Sequence, residues 1–164
     1  MIDSGTNQNV KAGYPVINAD GLVGRIVDVG PNSSRVLLAS DLNSRIPVTI
    51  GPKAVRAILA GDNGPNPRLL YLPDGAKIAV GDDVATSGTG GLFPSGLRIG
   101  AVTGDLNQPR VALRARLDRL DYVSVLFFDD PSRALAEDVA ADASRGHARK
   151  DGSPKYAPLR SAPP

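Results

Sequence analysis

Apolar residues between Val10 and Asp130 fall into short segments rich in Val, Ile and Leu, and Gly, Pro, Asn or Asp interrupts them every eight to twelve residues. Short apolar segments with regularly spaced turn residues are typical of all-β sandwiches and barrels. The pattern predicts an all-β fold with ten strands, near Tyr14–Ile17, Leu22–Val29, Arg35–Ala39, Ile46–Ile50, Val55–Leu59, Leu69–Leu72, Asp83–Ser87, Arg98–Thr103, Val111–Ala115 and Tyr122–Phe128.

The segment after these strands has a different pattern. Asp130 can cap a helix and Pro131 suits its first position, in an Ala-rich sequence with apolar residues four apart. From Ala143 onward the chain carries five basic residues and one acidic residue, with several prolines. This composition buries too little apolar surface to offset the entropy cost of ordering. Residues 131–164 are therefore predicted to form a short helix followed by a disordered, basic, Pro-rich tail.

The chain resembles itself when it is shifted by 75 residues. This shift aligns Val27 with Val102, Gly21-Leu22 with Gly96-Leu97, Arg35-Val36 with Arg110-Val111, Val48 with Val123 and Ile50 with Val125. A slightly smaller shift brings Gly13–Val16 onto Gly81–Val84. An internal repeat indicates related structural units. We predict two β units, at residues 10–62 and 68–130, with the alternative that the last strands cross back to complete the first unit.

The repeat makes Thr86–Gly96, with the sequence TSGTGGLFPSG, an enlarged connection in the second unit. Glycines and hydroxyl side chains are also typical of phosphate-binding loops, but those loops need a lysine or a helix start after the glycines. Here Leu92, Phe93 and Pro94 follow. A dinucleotide-binding loop needs a third glycine where this chain has Phe93. The stretch is therefore predicted to be a structural loop.

A nucleophilic serine in this loop would need a general base, most often histidine. The only histidine is His147, in the predicted tail. Lys77 is formally available as a base, but an ordinary solvated lysine is the better interpretation. The chain has no cysteine, and the acidic pairs Asp82–Asp83 and Asp129–Asp130 flank turns, where Asp is favoured for local hydrogen bonds. We predict no catalytic residue, no metal site and no cofactor.

Charge and composition restrict the possible partners. Residues 1–130 carry 13 basic and 13 acidic side chains, with no basic stripe interleaved with aromatics, so nucleic acid is not an expected partner. The segment also has no apolar run of about 18 residues and no signal-peptide pattern. The absence of cysteine is compatible with the cytoplasm and with compartments outside it.

Several motifs occur in the order found in one known family. They are Val10–Val16 (VKAGYPV), Asp20–Gly24 (DGLVG), Val36–Leu38 with Ser40-Asp41, Ile46–Val48, Gly81-Asp82, and the TSGTGGLFPSG loop leading into Gly100 and Val102. The pairing of a GLVG turn with a distant TSGxGGxFPxG loop is specific. Across residues 10–128, the sequence resembles the rod shape-determining protein MreC family.

The resemblance implies two small six-stranded β-barrels, distantly similar to the trypsin-like fold but without its catalytic triad. It implies a non-enzymatic scaffold of the machinery that elongates the cell wall of rod-shaped bacteria. The implied partners are penicillin-binding protein 2, MreD, MreB, RodZ and further copies of the protein itself. The implied location is periplasmic or extracytoplasmic, anchored to the inner membrane by an N-terminal helix. That helix and the family's coiled coil are absent from this sequence, which resembles a C-terminal region.

The resemblance transfers no interface residue, so candidate contacts come from apolar residues near the predicted barrel ends. Leu92 and Phe93 either fill the end of a barrel or stand in solvent as a contact. Tyr71 and Leu72 end a short strand. We predict that a partner binds Leu92, Phe93, Pro94, Tyr71 and Leu72.

Two other functions remain as alternatives. A membrane-fusion or efflux-type periplasmic adaptor also uses short β repeats, and its gene would encode a long helical hairpin between barrel halves. A degenerate serine hydrolase would react with an active-site serine probe.

Overall fold

Ten β-strands form the framework of the computed structural model, which describes residues 1–129. Each predicted strand is present, with ends that differ by up to three residues. The predicted helix and tail at 131–164 lie outside the described residues. The strands are β1 (Pro15–Ile17), β2 (Leu22–Val29), β3 (Ser34–Leu38), β4 (Arg45–Ile50), β5 (Val55–Ala60), β6 (Arg68–Leu70), β7 (Asp83–Thr86), β8 (Arg98–Thr103), β9 (Arg110–Leu113) and β10 (Ser124–Val125), with short 3-10 helices at Thr6–Gln8 and Thr89–Gly91.

The strands belong to two antiparallel sheets. One is a four-stranded sheet in the order β10-β1-β2-β3, and the other is a closed six-stranded barrel in the order β4-β5-β6-β9-β8-β7. The all-β prediction is confirmed. In place of a second closed barrel, residues 1–129 contain the four-stranded sheet. It does not close because the outer side of β3 pairs only at Ser34, with Ile2.

The repeated segments β1–β4 and β7–β10 exchange their last strands. β4 follows β1–β3 along the chain but pairs with β7, and β10 follows β7–β9 but pairs with β1. The two registers are equivalent, since Ile50 lies opposite Val84 and Val125 lies opposite Val16. The repeat aligns Ile50 with Val125 and Val16 with Val84. Each repeated segment therefore contributes its last strand, β4 or β10, to the sheet of the other segment.

The hairpins β2–β3 and β8–β9 are also equivalent, with one difference. Ile26 lies opposite Val36, and Val102 lies opposite Val111. The register of β2 shifts just after Ile26, where Val27 is the extra residue of a β-bulge. Val102 therefore corresponds to Ile26 and not, as the sequence alignment suggested, to Val27. Burial agrees, because Ile26 and Val102 are 0% and 2% exposed.

The two sheets do not follow a linear division of the chain. A linear division assigned β4 and β5 to residues 10–62, but both strands lie in the barrel with β6–β9. The change of sheet falls between β3 and β4 and again between β9 and β10. Met1–Asp130 form one compact unit. A repeat identifies equivalent strands, but it does not show which sheet each strand joins.

Two apolar cores meet at strand β2. The barrel core receives side chains from all six barrel strands and also Leu22 and Ala39 from the sheet side. The sheet has its own core, which contains Val23 and Tyr14. Successive residues of a strand point to opposite faces, so Leu22 and Val23 enter different cores, and both are 0% exposed. Strand β2 thus joins the sheet to the barrel.

The carboxylate of Asp62 stabilises the shortest strand pairing in the barrel, between β6 and β9. β6 and β9 pair at one register position, which sets Arg68 opposite Arg110, and like charges in this arrangement repel. Asp62 lies between them: its Oδ2 accepts a hydrogen bond from Arg110 Nη1 at 2.8 Å and lies 3.8 Å from Arg68 Nε. The backbone N–H of Gly64 donates to Oδ1 at 3.0 Å. The hydrogen bonds from Arg110 and Gly64 lower the pKa of Asp62.

The fragments 1–62 and 63–129 are expected not to fold alone, because 63–129 lacks the barrel strands β4 and β5 and 1–62 lacks strand β10 of the sheet. Residues 1–62 and 63–129, expressed separately, should show no cooperative thermal transition by circular dichroism. Mixing the fragments should restore a transition like that of residues 1–129. Cooperative unfolding of either fragment alone would contradict the strand exchange.

Asp62→Asn should lower the free energy of unfolding by about 1–3 kcal/mol at pH 7, because it removes the charge between two arginines. The pKa of Asp62 is lower in the folded chain than in the unfolded chain, so its stabilisation is present above about pH 4 and is lost as the pH falls through the folded value. The difference between the native chain and Asp62→Asn in urea denaturation should shrink accordingly. Asp74→Asn, at an exposed loop position, is the control, with an expected change below about 0.5 kcal/mol.

Candidate partner-binding surface

The side chain of Thr86 organises the glycine-rich loop. Thr86 is 1% exposed, and its Oγ1 donates a hydrogen bond to the Pro94 carbonyl at 2.6 Å and accepts one from the Leu97 N–H at 2.9 Å. Gly90 has a φ of 79°, in the left-handed region that favours glycine. The loop is therefore held by its own hydrogen bonds and returns the chain to β8.

Phe93 points inward from this loop. Its side chain is 2% exposed and belongs to the barrel core. Leu92 is half-buried against the same core, and Pro94 is half-buried. Phe93 is consequently a core residue that fills the barrel and has no surface available to a partner. Of the two orientations that the sequence left open for Phe93, the structure has the inward one.

The hydroxyls of the loop serve its backbone. Ser87 Oγ accepts a hydrogen bond from the N–H of Thr89 at 3.2 Å. Residues 1–129 contain no group of three or more histidine, cysteine or acidic side chains placed to hold a metal ion. His147 lies outside the described residues. Thr86, Ser87 and Gly90 therefore have structural roles in this loop.

Tyr71 is the candidate contact with the most accessible side chain. It follows β6, is 81% exposed and has a φ of 60°. A left-handed backbone costs a bulky residue about 1–3 kcal/mol. The turn lets Leu72 pack against the barrel core, where it is half-buried. Glycine would make this turn without the cost, so the turn does not require an aromatic ring.

An apolar row crosses the outside of the barrel next to Tyr71. Pro47 on β4 lies opposite Ile58 on β5, and Ile58 lies opposite Leu70 on β6. All three are half-buried, whereas their neighbours along each strand lie in the barrel core. These three side chains therefore lie on the outer face. We call this surface the barrel face: Pro47, Ile58, Leu70 and Tyr71.

The four-stranded sheet carries a groove that the sequence pattern did not predict. A cavity of about 840 Å³ lies over the sheet core, and its lining includes Tyr122 and Phe127, which are 91% and 65% exposed. The sequence placed both aromatics in a regular strand, but only Ser124 and Val125 pair with β1. The two aromatic residues in that predicted strand, Tyr122 and Phe127, were the sequence feature that pointed to this groove.

Tyr14 binds Asp129, the last described residue, and so holds this end of the chain against the sheet. Its hydroxyl donates to both carboxylate oxygens of Asp129, at 3.1 and 3.2 Å. The Phe127 ring packs against the Tyr14 ring with centroids 5.5 Å apart. Burial, together with the hydrogen bond to Asp129, raises the pKa of Tyr14. The segment that carries Phe127 is thereby fixed beside the groove.

A closed six-stranded barrel joined to a four-stranded antiparallel sheet places residues 1–129 in the class of small all-β proteins. The family model described as "Rod shape-determining protein MreC, barrel core" matches residues 1–127. This chain belongs to the MreC family of rod shape-determining proteins.

Similar proteins support this membership. The cell shape-determining protein MreC of Caulobacter vibrioides is 47% identical over 131 residues, which cover 79% of this chain and 38% of that protein. The MreC of Cereibacter sphaeroides is 39% identical and is matched over 93% of this chain and 53% of its own length. The chain thus spans about half or less of these relatives.

Solved structures share the fold. The crystal structure of MreC from Pseudomonas aeruginosa has a TM-score of 0.71 and 36% identity, over 77% of this chain and 86% of that one. The major periplasmic domain from the cell shape-determining filament MreC has a TM-score of 0.65 at 23% identity, over 75% and 83%. A complex between penicillin-binding protein 2 and MreC from Helicobacter pylori has a TM-score of 0.60 at 21% identity, over 71% and 80%. The last two likenesses show the fold alone.

None of the helices within residues 1–129 is long and apolar enough to cross a bilayer.

Phe93→Ala should lower the free energy of unfolding by about 3–5 kcal/mol, because it leaves a cavity in the barrel core. Tyr71→Ala should change it by less than about 0.5 kcal/mol, since the side chain is exposed. Urea denaturation followed by circular dichroism measures both. An unchanged midpoint for Phe93→Ala would show that its ring does not fill the barrel.

Proposed function

We propose that this chain is the extracytoplasmic part of a non-enzymatic scaffold that maintains rod shape by binding a peptidoglycan transpeptidase, penicillin-binding protein 2. The observation that carries the proposal is the match of residues 1–127 to the MreC barrel core. A relative with the same fold has been solved as a complex with penicillin-binding protein 2, which supports the choice of partner. Family membership favours this function over the adaptor and hydrolase alternatives.

The scaffold acts through binding energy. A partner with two conformations shifts toward the one that the scaffold binds more tightly, and each tenfold difference in affinity contributes about 1.4 kcal/mol to that shift. This mechanism needs an accessible surface and no catalytic group. On this chain, Tyr71, Leu72, Leu92 and Pro94 remain the candidate contacts, and Tyr71 is the most exposed of them.

The proposal includes an assembly. MreD, MreB and RodZ complete the elongation machinery, and an N-terminal helix upstream of this region anchors the scaffold to the inner membrane. Self-association is part of the same proposal. It is supported by the solved relative described as a periplasmic domain from a filament.

Binding of the purified chain to the extracytoplasmic part of penicillin-binding protein 2 from the same organism tests the proposal. Biolayer interferometry should detect a saturable interaction, and Tyr71→Ala should weaken it about tenfold if the ring is a central contact. Leu106→Ala, at a 47% exposed position in the β8–β9 turn, is the matched control and should bind like the native chain.

The two possible failures have different meanings. If the native chain does not bind at any accessible concentration, the proposed partner is wrong. If it binds and Tyr71→Ala binds equally well, the partner stands and Tyr71 is removed from the contact surface.

A further inference from the structure

The strands that carry the barrel face hold more basic than acidic side chains. Residues 45–72 contain four basic side chains, Arg45, Lys53, Arg56 and Arg68, and one acidic side chain, Asp62. This segment therefore has a net charge of +3, and the carboxylates of Asp41 and Asp74 flank it along the chain. The barrel face is the surface of β4–β6 within this basic segment.

Two arginines lie on either side of the apolar row. Arg56 is two residues before Ile58 on the same strand face, and Arg45 is two residues before Pro47. Arg56 is exposed, and none of the ion pairs found within residues 1–129 includes it. Arg45 donates to the backbone carbonyls of Leu42 and Ser44. Neither guanidinium has a carboxylate partner in the described structure, so both remain available to one from outside.

The closed barrel restricts how a partner can bind here. Strand addition needs a free sheet edge, and this barrel has none. Recognition must therefore use side chains. Neighbouring strands are about 4.8 Å apart, so Pro47, Ile58 and Leu70 follow one another at about the rise of one helical turn, about 5.4 Å. Apolar residues on one face of a helix match this spacing.

We infer that the barrel face binds an amphipathic helix of a partner protein that carries acidic residues beside its apolar stripe. The stripe packs on Pro47, Ile58 and Leu70, the Tyr71 ring covers one end, and carboxylates pair with Arg56. The inference rests on the proposed function and deepens it, because it names the surface and the chemistry that the surface recognises. A bilayer is a poorer occupant, since Tyr71 is the single aromatic side chain among the four residues of the barrel face.

Tyr71 fits this role because its left-handed backbone conformation is unfavourable for a bulky residue, and glycine would make the same turn without that cost. Among residues 1–129, the other non-glycine residues with positive φ are Asn9, Ala54 and Asn63, so Tyr71 is the one aromatic residue held in this conformation. Tyr71→Gly should keep the turn and remove only the ring. The variant should be at least as thermally stable as the native chain while binding the helix more weakly.

A fluorescein-labelled helical peptide of about 18 residues, with leucines at i, i+4 and i+7 and flanking glutamates, is the probe for fluorescence anisotropy. The intact 164-residue chain should bind it, and raising the salt concentration should weaken binding. A peptide with lysine in place of each glutamate should not bind. Arg56→Glu and Tyr71→Gly should each raise the Kd about tenfold.

Arg98→Glu is the matched control, because Arg98 is exposed on β8, away from β5 and β6, and the charge change is the same. Equal weakening by Arg98→Glu and Arg56→Glu would overturn the inference, as would equal binding of the two peptides. Binding of anionic phosphatidylglycerol vesicles without peptide binding would also overturn it. So would loss of self-association in Arg56→Glu with an unchanged Kd for the peptide.

The same variants separate this inference from the proposed function. Binding of penicillin-binding protein 2 that is unaffected by Arg56→Glu and Tyr71→Gly would leave the function standing and reject the barrel face as its site. Peptide binding that depends on Arg56, without any binding of penicillin-binding protein 2, would keep the surface and reject the partner.

Discussion

The exchange of equivalent strands between the two halves is the constraint on which the rest of the structure depends. β4 closes the barrel only because it pairs with β7 from the other half, and β10 extends the sheet only because it returns to β1. Strand β2 then buries Leu22 in one core and Val23 in the other. Loss of packing in either core therefore destabilises both sheets, although the sequence repeat indicates two separate units.

The exchange also leaves the two sheets with different surfaces. Each barrel strand is paired on both sides, so the outer face of the barrel offers a partner only side chains. These are an apolar row, the exposed Tyr71 and guanidinium groups. The four-stranded sheet keeps free edges and an apolar groove beside Tyr122 and Phe127. One chain can thus present two chemically distinct binding surfaces. The ion pair between Asp62 and Arg110 helps to keep the barrel closed and its outer face continuous.

The strands could be predicted from the sequence because each depends on local periodicity and on turn residues such as Gly21 and Pro73. The repeat correctly identified equivalent hairpins, but the bulge at Val27 shifted one of them by a residue. Sheet membership could not be predicted, because it depends on pairing between segments far apart in the chain. The same reason hid the barrel face, since Pro47, Ile58 and Leu70 are adjacent only across strands. The inward orientation of Phe93 depends on the hydrogen bonds of Thr86 and has no periodic signature.

The strand exchange also sets the order in which this chain can become structured during synthesis. A ribosome adds about 5–20 residues per second, and the barrel has all six strands once Leu113 is free. The sheet that contains the first strands must wait for Val125, so the first residues to emerge are the last to be fully paired. Until then, the edge of β1 and the apolar surface around Val16 are exposed to other nascent chains. The interval between the synthesis of Leu113 and that of Val125 is therefore the one in which the barrel strands are complete while β1 still has an unpaired edge.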